Sequence, residues 1–306
     1  MRRRAFMGMT GGALALAGCG AGRRRSEWRG ILFGTEVAIT AVTAGGAEID
    51  WAPCEAEMLR LEKIFSLTDP DSPLARLNRD GRLDGPPEEL REVTLRALEL
   101  AERSGGVFDP TIQPYWAWLR ERLATGGTPD EGERARLLAL VDYRGLRVGD
   151  DGLRFERAGM GLTLNAMAQG FVTDRVTAML EARGIAGCLV HIGEFAARGR
   201  DVDGKRWRVA VRAGGAGGRV METVTLADEA LAVSSGAGFR MSATGKWTHL
   251  LSPATGESPA ARRTVAVTAP EAVVADGLAT ACSLMNAAAG RELVKEYPGA
   301  EVRFYD

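Results

Sequence analysis

The chain has 306 residues, 45% of them hydrophobic and 26% charged, an ordinary globular composition with length for one large domain or two small ones. With 39 Lys and Arg against 40 Asp and Glu the net charge is −1, which excludes a broadly basic surface for nucleic acid and an acidic surface for a cationic partner. Past Cys19, the cysteines Cys54, Cys188 and Cys282 are odd in number and widely spaced, which excludes a zinc pattern and a full disulfide framework, and only His191 and His249 are open to chemistry that needs imidazole.

In chain order, Met1-Arg2-Arg3-Arg4-Ala5-Phe6-Met7 precedes a short, weakly apolar run that ends in Leu16-Ala17-Gly18-Cys19. The run is shorter than the ~20 apolar residues of a spanning helix. Its two halves resemble a twin-arginine export signal and a bacterial lipobox. That resemblance implies removal of residues 1–18, a lipid anchor on Cys19, and a location on the periplasmic side of a bacterial inner membrane. Residues 19–29 are polar and rich in Gly and Arg, and read as a tether; the folded domain is expected over 30–306.

Ile31 to Thr43 reads as a strand interrupted at Phe33-Gly34-Thr35, and Cys54 to Phe65 as a helix. Pro86-Pro87-Glu88-Glu89 opens a second helix that stops at Ser104-Gly105-Gly106. Short helices are predicted over Trp116 to Leu123 and Asp130 to Leu140, and short strands at Leu146 to Val148, Leu153 to Phe155 and Leu162 to Leu164. Ala166 to Ala182 is a long helix. Strands follow at 187–192, 206–211, 220–226, 231–234 and 264–268, then a helix around Asp276 and a last strand at 301–304. Strands and helices mix without regular βαβ alternation, so the expected class is α+β.

Five segments carry chemistry. Gly105-Gly106-Val107-Phe108-Asp109-Pro110-Thr111 is a tight loop with one acid. Asn165-Ala166-Met167-Ala168-Gln169-Gly170-Phe171-Val172-Thr173-Asp174 sets small residues at a helix N-terminus, where free amides and the dipole favour anions. Ser234-Ser235-Gly236 offers hydroxyls and amides after a strand, and Thr248-His249-Leu250-Leu251-Ser252-Pro253-Ala254-Thr255-Gly256 sets a histidine before a turn. In Val273-Val274-Ala275-Asp276-Gly277-Leu278-Ala279-Thr280, Asp276 and Thr280 share one helix face within an apolar surround. A buried carboxylate needs a partner, and carboxylate plus hydroxyl is hard-oxygen ligation suited to Mg²⁺ with a phosphate substrate. From the segment alone, Asp276 capping the helix and Thr280 bonding back to a carbonyl is the favoured reading.

Together with Gly34-Thr35 and Ser72-Pro73-Leu74-Ala75-Arg76-Leu77-Asn78, these segments in this order resemble the FAD:protein FMN transferase family, the ApbE family. Gln169 stands where that pattern has Lys, Asn165-Ala166 where it has Gly-Gly, and Gly193-Glu194, after His191, where it has a second Gly-Gly. The Asn-x-x-Ala-Gln-Gly helix start is similar to the NosX branch, accessory flavin transferases of nitrous oxide respiration.

The resemblance implies an ApbE-like fold and transfer of FMN from FAD to a Thr or Ser hydroxyl, with AMP released. It implies Mg²⁺ held by Asp276, Thr280 and the main-chain carbonyl of Ala168, with Asp276 and His249 as catalytic residues and His249 as the base. Gly34, Thr35, Asp109, Gly170, Asp174, Ser235 and Gly236 are expected to line the FAD site, and His191, in an apolar strand, to be structural. The acceptor would carry a Ser/Thr-Gly-Ala-Thr-like motif on a NosR-type membrane flavoprotein. An FAD-binding carrier without transfer, and an FAD pyrophosphatase, are the alternative functions.

Overall fold

The structure, a computed structural model, describes residues 22–45, 47–214, 217–242, 244–259 and 263–305. The expected signal over residues 1–18 and the anchor Cys19 lie outside them. The elements are, in order, β1 (Arg23–Leu32), β2 (Thr35–Ala44), α1 (Ala52–Phe65), α2 (Pro73–Asp80), β3 (Arg82–Asp84), α3 (Glu88–Arg103), α4 (Gln113–Ala124) and α5 (Glu131–Leu138). Then come β4 (Leu146–Val148), β5 (Gly152–Phe155), α6 (Ala168–Ala182), β6 (Gly187–Ile192), β7 (Glu194–Gly199), β8 (Trp207–Arg212), β9 (Val220–Leu226) and β10 (Glu229–Ser235). β11 (Thr264–Ala269), α7 (Ala272–Ser283), α8 (Ala287–Lys295) and β12 (Glu301–Tyr305) close the chain.

A seven-stranded sheet in the order β1-β2-β6-β7-β10-β11-β12 organises the molecule, and each neighbouring pair is antiparallel. This is the expected α+β arrangement. Helices α6 and α7 cover one face, where Val172, Val176, Leu180, Val273 and Leu278 join Val190, Ile192, Val265 and Val267 in the main core. The β8–β9 hairpin covers part of the other face through Trp207, Val209, Val211, Val224 and Leu226 against Leu231 and Ala266. β11 lies under both layers, so all six of its residues are buried. No helix among the described residues is long and apolar enough to cross a membrane.

The expected tether needs correction. Arg23–Leu32 is a full strand, paired with β2 from Arg23↔Ala44 to Leu32↔Thr35. Ser26, Trp28, Gly30 and Leu32 alternate toward the body, and Trp28 packs on the core. The charged residues between them face solvent at the edge of the sheet, where charge discourages pairing with another chain.

Leu162 to Leu164 is extended but is not a strand. The Asn78 side chain takes the place of a partner strand: Leu162 N–H donates to Asn78 Oδ1 at 2.7 Å, and Asn78 Nδ2 donates to the Leu162 carbonyl at 2.9 Å. Thr163 N–H donates to the Pro110 carbonyl at 2.8 Å. Asn78 is carried by α2, which sequence reading passed over although its start signal is ordinary. Ser72 accepts from Ala75 N–H at 3.0 Å, and Pro73 follows in the first turn. Cys54, Cys188 and Cys282 are buried free thiols, the last two within apolar runs of sequence, and burial pushes Cys188 and Cys282 up to about 12.

Helices α6 and α7 meet at Gly170. A Cβ there would sit 2.5 Å from the Ala272 carbonyl oxygen and 2.7 Å from Val273 Cα, both backbone atoms that cannot swing aside. Gly170→Ala is therefore expected to force the helices apart and lower stability by about 1–3 kcal/mol. A urea unfolding midpoint unchanged from wild type would contradict this.

Candidate active site

The ends of these elements surround a cavity of about 1370 Å³. That exceeds the roughly 300–1,000 Å³ of small-molecule sites, which leaves room for a dinucleotide and part of a second reactant. Of the residues expected to bind FAD, Gly34 and Thr35 line it from the β1–β2 turn, Asp109 from the loop after α3, and Ser235 from the end of β10. Ala168, His249, Asp276 and Thr280 line it too. So do Trp116 and Arg120 from α4, Arg212 from β8, and Gln169.

Gly170, Asp174 and Gly236, also expected at the FAD site, are not among the residues that line the cavity. Gly170 is the helix crossing just described, and Gly236, next in sequence to Ser235, is buried. Asp174 is a cap supplied across space. Its two carboxylate oxygens accept from Ala272 N–H at 2.7 Å and Val273 N–H at 2.9 Å, satisfying free donors at the α7 N-terminus. The capping role considered for Asp276 thus belongs to Asp174, and Asp276 sits a turn inside the helix.

Burial pushes the Asp174 carboxyl up from 3.8 to about 6, against the pull of the two N–H donors. A carboxyl with a raised native pKa binds its proton more tightly in the folded state. Its contribution to stability is therefore complete below 3.8 and is lost as pH rises through about 6. Thermal unfolding from pH 4 to 7.5 should show the stability difference, wild type minus Asp174→Asn, shrinking as pH rises; a constant difference would contradict the assignment.

Asp109 lines the cavity but its oxygens are occupied. Oδ1 accepts from Thr111 N–H at 2.8 Å and Thr111 Oγ1 at 2.6 Å, and Oδ2 accepts from Tyr143 N–H at 2.9 Å. It ties the loop after α3 to the segment after α5. The two preceding glycines, Gly105 at φ +62 and Gly106 at φ +79, make the left-handed turn that brings the loop round.

His249 is held at both ends. Its main-chain carbonyl accepts from Trp116 Nε1 at 3.1 Å, and its Nδ1 lies 3.2 Å from the Phe239 carbonyl. A carbonyl only accepts, so Nδ1 carries the hydrogen and Nε2 keeps a free lone pair. Burial lowers the imidazole pKa, against the opposing effect of the Phe239 carbonyl, and keeps the ring neutral near neutral pH. The following turn is pinned by Tyr115, whose hydroxyl donates to the Gly256 carbonyl at 2.8 Å.

Asp276 is 7% exposed, and its Oδ2 accepts from Gly170 N–H at 3.2 Å in the first turn of α6. Burial pushes its pKa up, and the nearby Asp174 charge adds to that. Thr280 lines the cavity one turn further along the same helix face. Among the described residues no group of three or more His, Cys, Asp or Glu would hold a metal alone. The oxygens at hand are instead carboxylate, hydroxyl and main-chain carbonyl, a hard set that fits Mg²⁺ completed by water and substrate phosphate.

Two further cavity residues, His191 and Glu194, stand outside the expected site. His191, expected to be structural, lines the cavity with its ring stacked on Phe195 at 4.1 Å between centroids and 6° between planes. Glu194, 9% exposed, also lines it. The alternation of β6 and β7 was the available signal, since it sends His191 and Glu194 to opposite faces at the end of the sheet.

A sequence profile of the ApbE family matches residues 33–304. The FAD:protein FMN transferase of Treponema pallidum (strain Nichols) is 29% identical over 267 residues, covering 79% of this chain and 73% of that protein. The apo crystal structure of Pseudomonas stutzeri flavinyl transferase ApbE superposes with a TM-score of 0.76 at 26% identity, covering 92% of this chain and 91% of that one. The flavin transferase ApbE from Vibrio cholerae shares the fold, with a TM-score of 0.77 at 22% identity over 91% and 93% of the two chains. With the motifs in order, residues from several of them on one cavity and the profile spanning nearly the whole folded body, this chain belongs to the ApbE family.

Proposed function

We propose that this protein transfers the FMN half of FAD to a Thr or Ser hydroxyl of an acceptor protein and releases AMP. The observation that carries the reading is the placing of a neutral, tautomer-fixed His249 and a buried Asp276 on one large cavity. The names of the related transferases support it. Asp276, Thr280 and the Ala168 carbonyl are the residues to hold Mg²⁺. Bound there, the ion would neutralise charge on the pyrophosphate.

The chain's own groups account for the rest. The acceptor hydroxyl oxygen attacks the FMN phosphorus, and its proton passes to His249 Nε2. The new P–O bond replaces the bond to AMP, which leaves as the phosphate anion. Ala168 and Gln169, in the first turn of α6, line the same cavity, and the positive end of the helix dipole favours anionic groups there. Arg120 and Arg212 on the wall supply further positive charge.

A NosR-type acceptor belongs to the same proposal and rests on Asn165-Ala166-Met167-Ala168-Gln169-Gly170. Export and anchoring through Cys19 on the periplasmic face rest on residues 1–19. A lipid anchor would hold enzyme and acceptor at one membrane surface and raise their effective concentration.

The test mixes the protein with FAD, Mg²⁺ and a purified acceptor domain carrying the Thr motif, and reads the intact mass of the acceptor. The expected result is the gain of one FMN, lost in EDTA. FAD bound but intact would make the protein a carrier, and AMP released without acceptor modification would make it a pyrophosphatase.

A further inference from the structure

Glu194 opens β7 directly after Gly193, which alone connects β6 to β7. On an extended strand Glu194 and Ala196 share a face. Ala196 packs against Ala272 of α7, and Ala272 and Asp276 are four residues apart on that helix. The register therefore sets the Glu194 carboxylate opposite Asp276, where both line the cavity.

Each carboxylate has one oxygen engaged by a single backbone donor. Val233 N–H donates to Glu194 Oε2 and Gly170 N–H to Asp276 Oδ2, each at 3.2 Å. Among the described residues no Lys, Arg or His forms an ion pair with either one, and no hydrogen bond joins the two carboxyls. Gln169 lies across the turn, since a Cβ on Gly193 would sit 2.5–2.7 Å from its amide atoms. That amide can hydrogen-bond but cannot neutralise charge. Two carboxylates 9% and 7% exposed, with no cationic side chain between them, call for a counter-charge from outside the chain.

We propose that Glu194 is a further ligand of the divalent cation, so that this chain grips Mg²⁺ between two buried carboxylates, Glu194 and Asp276, with Thr280 and the Ala168 carbonyl beside them. The assignment rests on the Asp276 metal site of the proposed function. Two negative charges match one divalent ion. They also account for a glutamate in a turn where the family pattern has glycine.

The test uses the whole protein and Mg²⁺ alone, without FAD. Mg²⁺ affinity is read by titration calorimetry, and thermal unfolding is read in EDTA and in Mg²⁺, for wild type, Glu194→Gln and Asp276→Asn. Glu194→Gln is expected to weaken Mg²⁺ binding by about 10- to 100-fold. In EDTA it should raise the unfolding temperature, because a buried like-charge contact is gone; a purely structural Glu194 would give a fall instead. If Glu194→Gln does not fold, Glu194→Asp, which keeps the charge on a shorter stem, should bind Mg²⁺ more weakly than wild type. Wild-type affinity in the Glu194 variants with binding lost in Asp276→Asn would overturn the assignment and leave the Asp276 site standing. No Mg²⁺ binding by the wild type would overturn both.

Discussion

Asp276→Ala is expected to abolish transfer of FMN to the acceptor, with the rate falling by about 10³-fold or more, while FAD still binds. Charge neutralisation at a transferring phosphoryl group is worth several kcal/mol, and each ~1.4 kcal/mol is a factor of ten in rate. Asp276 is the buried carboxylate of the proposed metal set, whereas other walls of the cavity come from β1–β2, α4, β8 and β10. Loss of rate and survival of binding are therefore separable. EDTA should reproduce the defect in the wild type, and excess Mg²⁺ should fail to rescue the variant. Single-turnover transfer followed by acceptor mass is the measurement; a rate within about tenfold of wild type would remove Asp276 from the chemistry.

His249→Ala should cost about 10²- to 10⁴-fold in the same assay, the usual range for loss of a positioned base. The imidazole must be neutral to accept the hydroxyl proton, so at saturating Mg²⁺ the wild-type rate should rise with pH and then level off. Burial lowers the imidazole pKa, which puts the rising limb below 6.5. The residual rate of His249→Ala should lack that limb. A variant that keeps the same acid limb would assign the titration to another group and leave His249 a positioning role. The Nδ1 contact to Phe239 makes the second outcome distinguishable, because a ring that merely braced the turn would not need its Nε2 lone pair.

Much of this site was legible before any coordinates. Their spacing sets Asp276 and Thr280 on one face of an almost wholly apolar helix, the family resemblance singles them out together with His249 before a Pro-Ala-Thr-Gly turn, and all three line the cavity. What escaped shares one physical character: its structure is decided by partners distant in sequence. β1 looks like a tether because Arg23, Arg24, Arg25, Glu27 and Arg29 dominate it, and only pairing with β2 gives those charges an outward side. Asp174 reads as a ligand to a cofactor because it sits in a motif, yet the donors it meets are 98 and 99 residues away. Glu194 reads as a lost glycine because nothing local says that α7 lies over it. Helices α3 and α5, by contrast, are set by their own residues: acids crowd both first turns, and Asp130 accepts from Glu133 N–H at 2.8 Å.

The pairing of Asn78 with Leu162 has a dynamic consequence. A segment stitched into a sheet shares the opening free energy of the whole sheet, but Gly161 to Leu164 is held by the Asn78 amide on an eight-residue helix, by Thr163 N–H on the Pro110 carbonyl and by a bridge between Gly161 and Ile112. When α2 frays, both Asn78 bonds go together. The released backbone runs straight into the first turn of α6, through Met167 N–H and Ala168 N–H, which donate to the Leu164 carbonyl at 2.9 and 2.8 Å. In hydrogen-exchange terms α2, the segment and the start of α6 form one cooperative unit. The order of the Ala168 carbonyl is then tied in part to a two-turn helix on the far side of the loop.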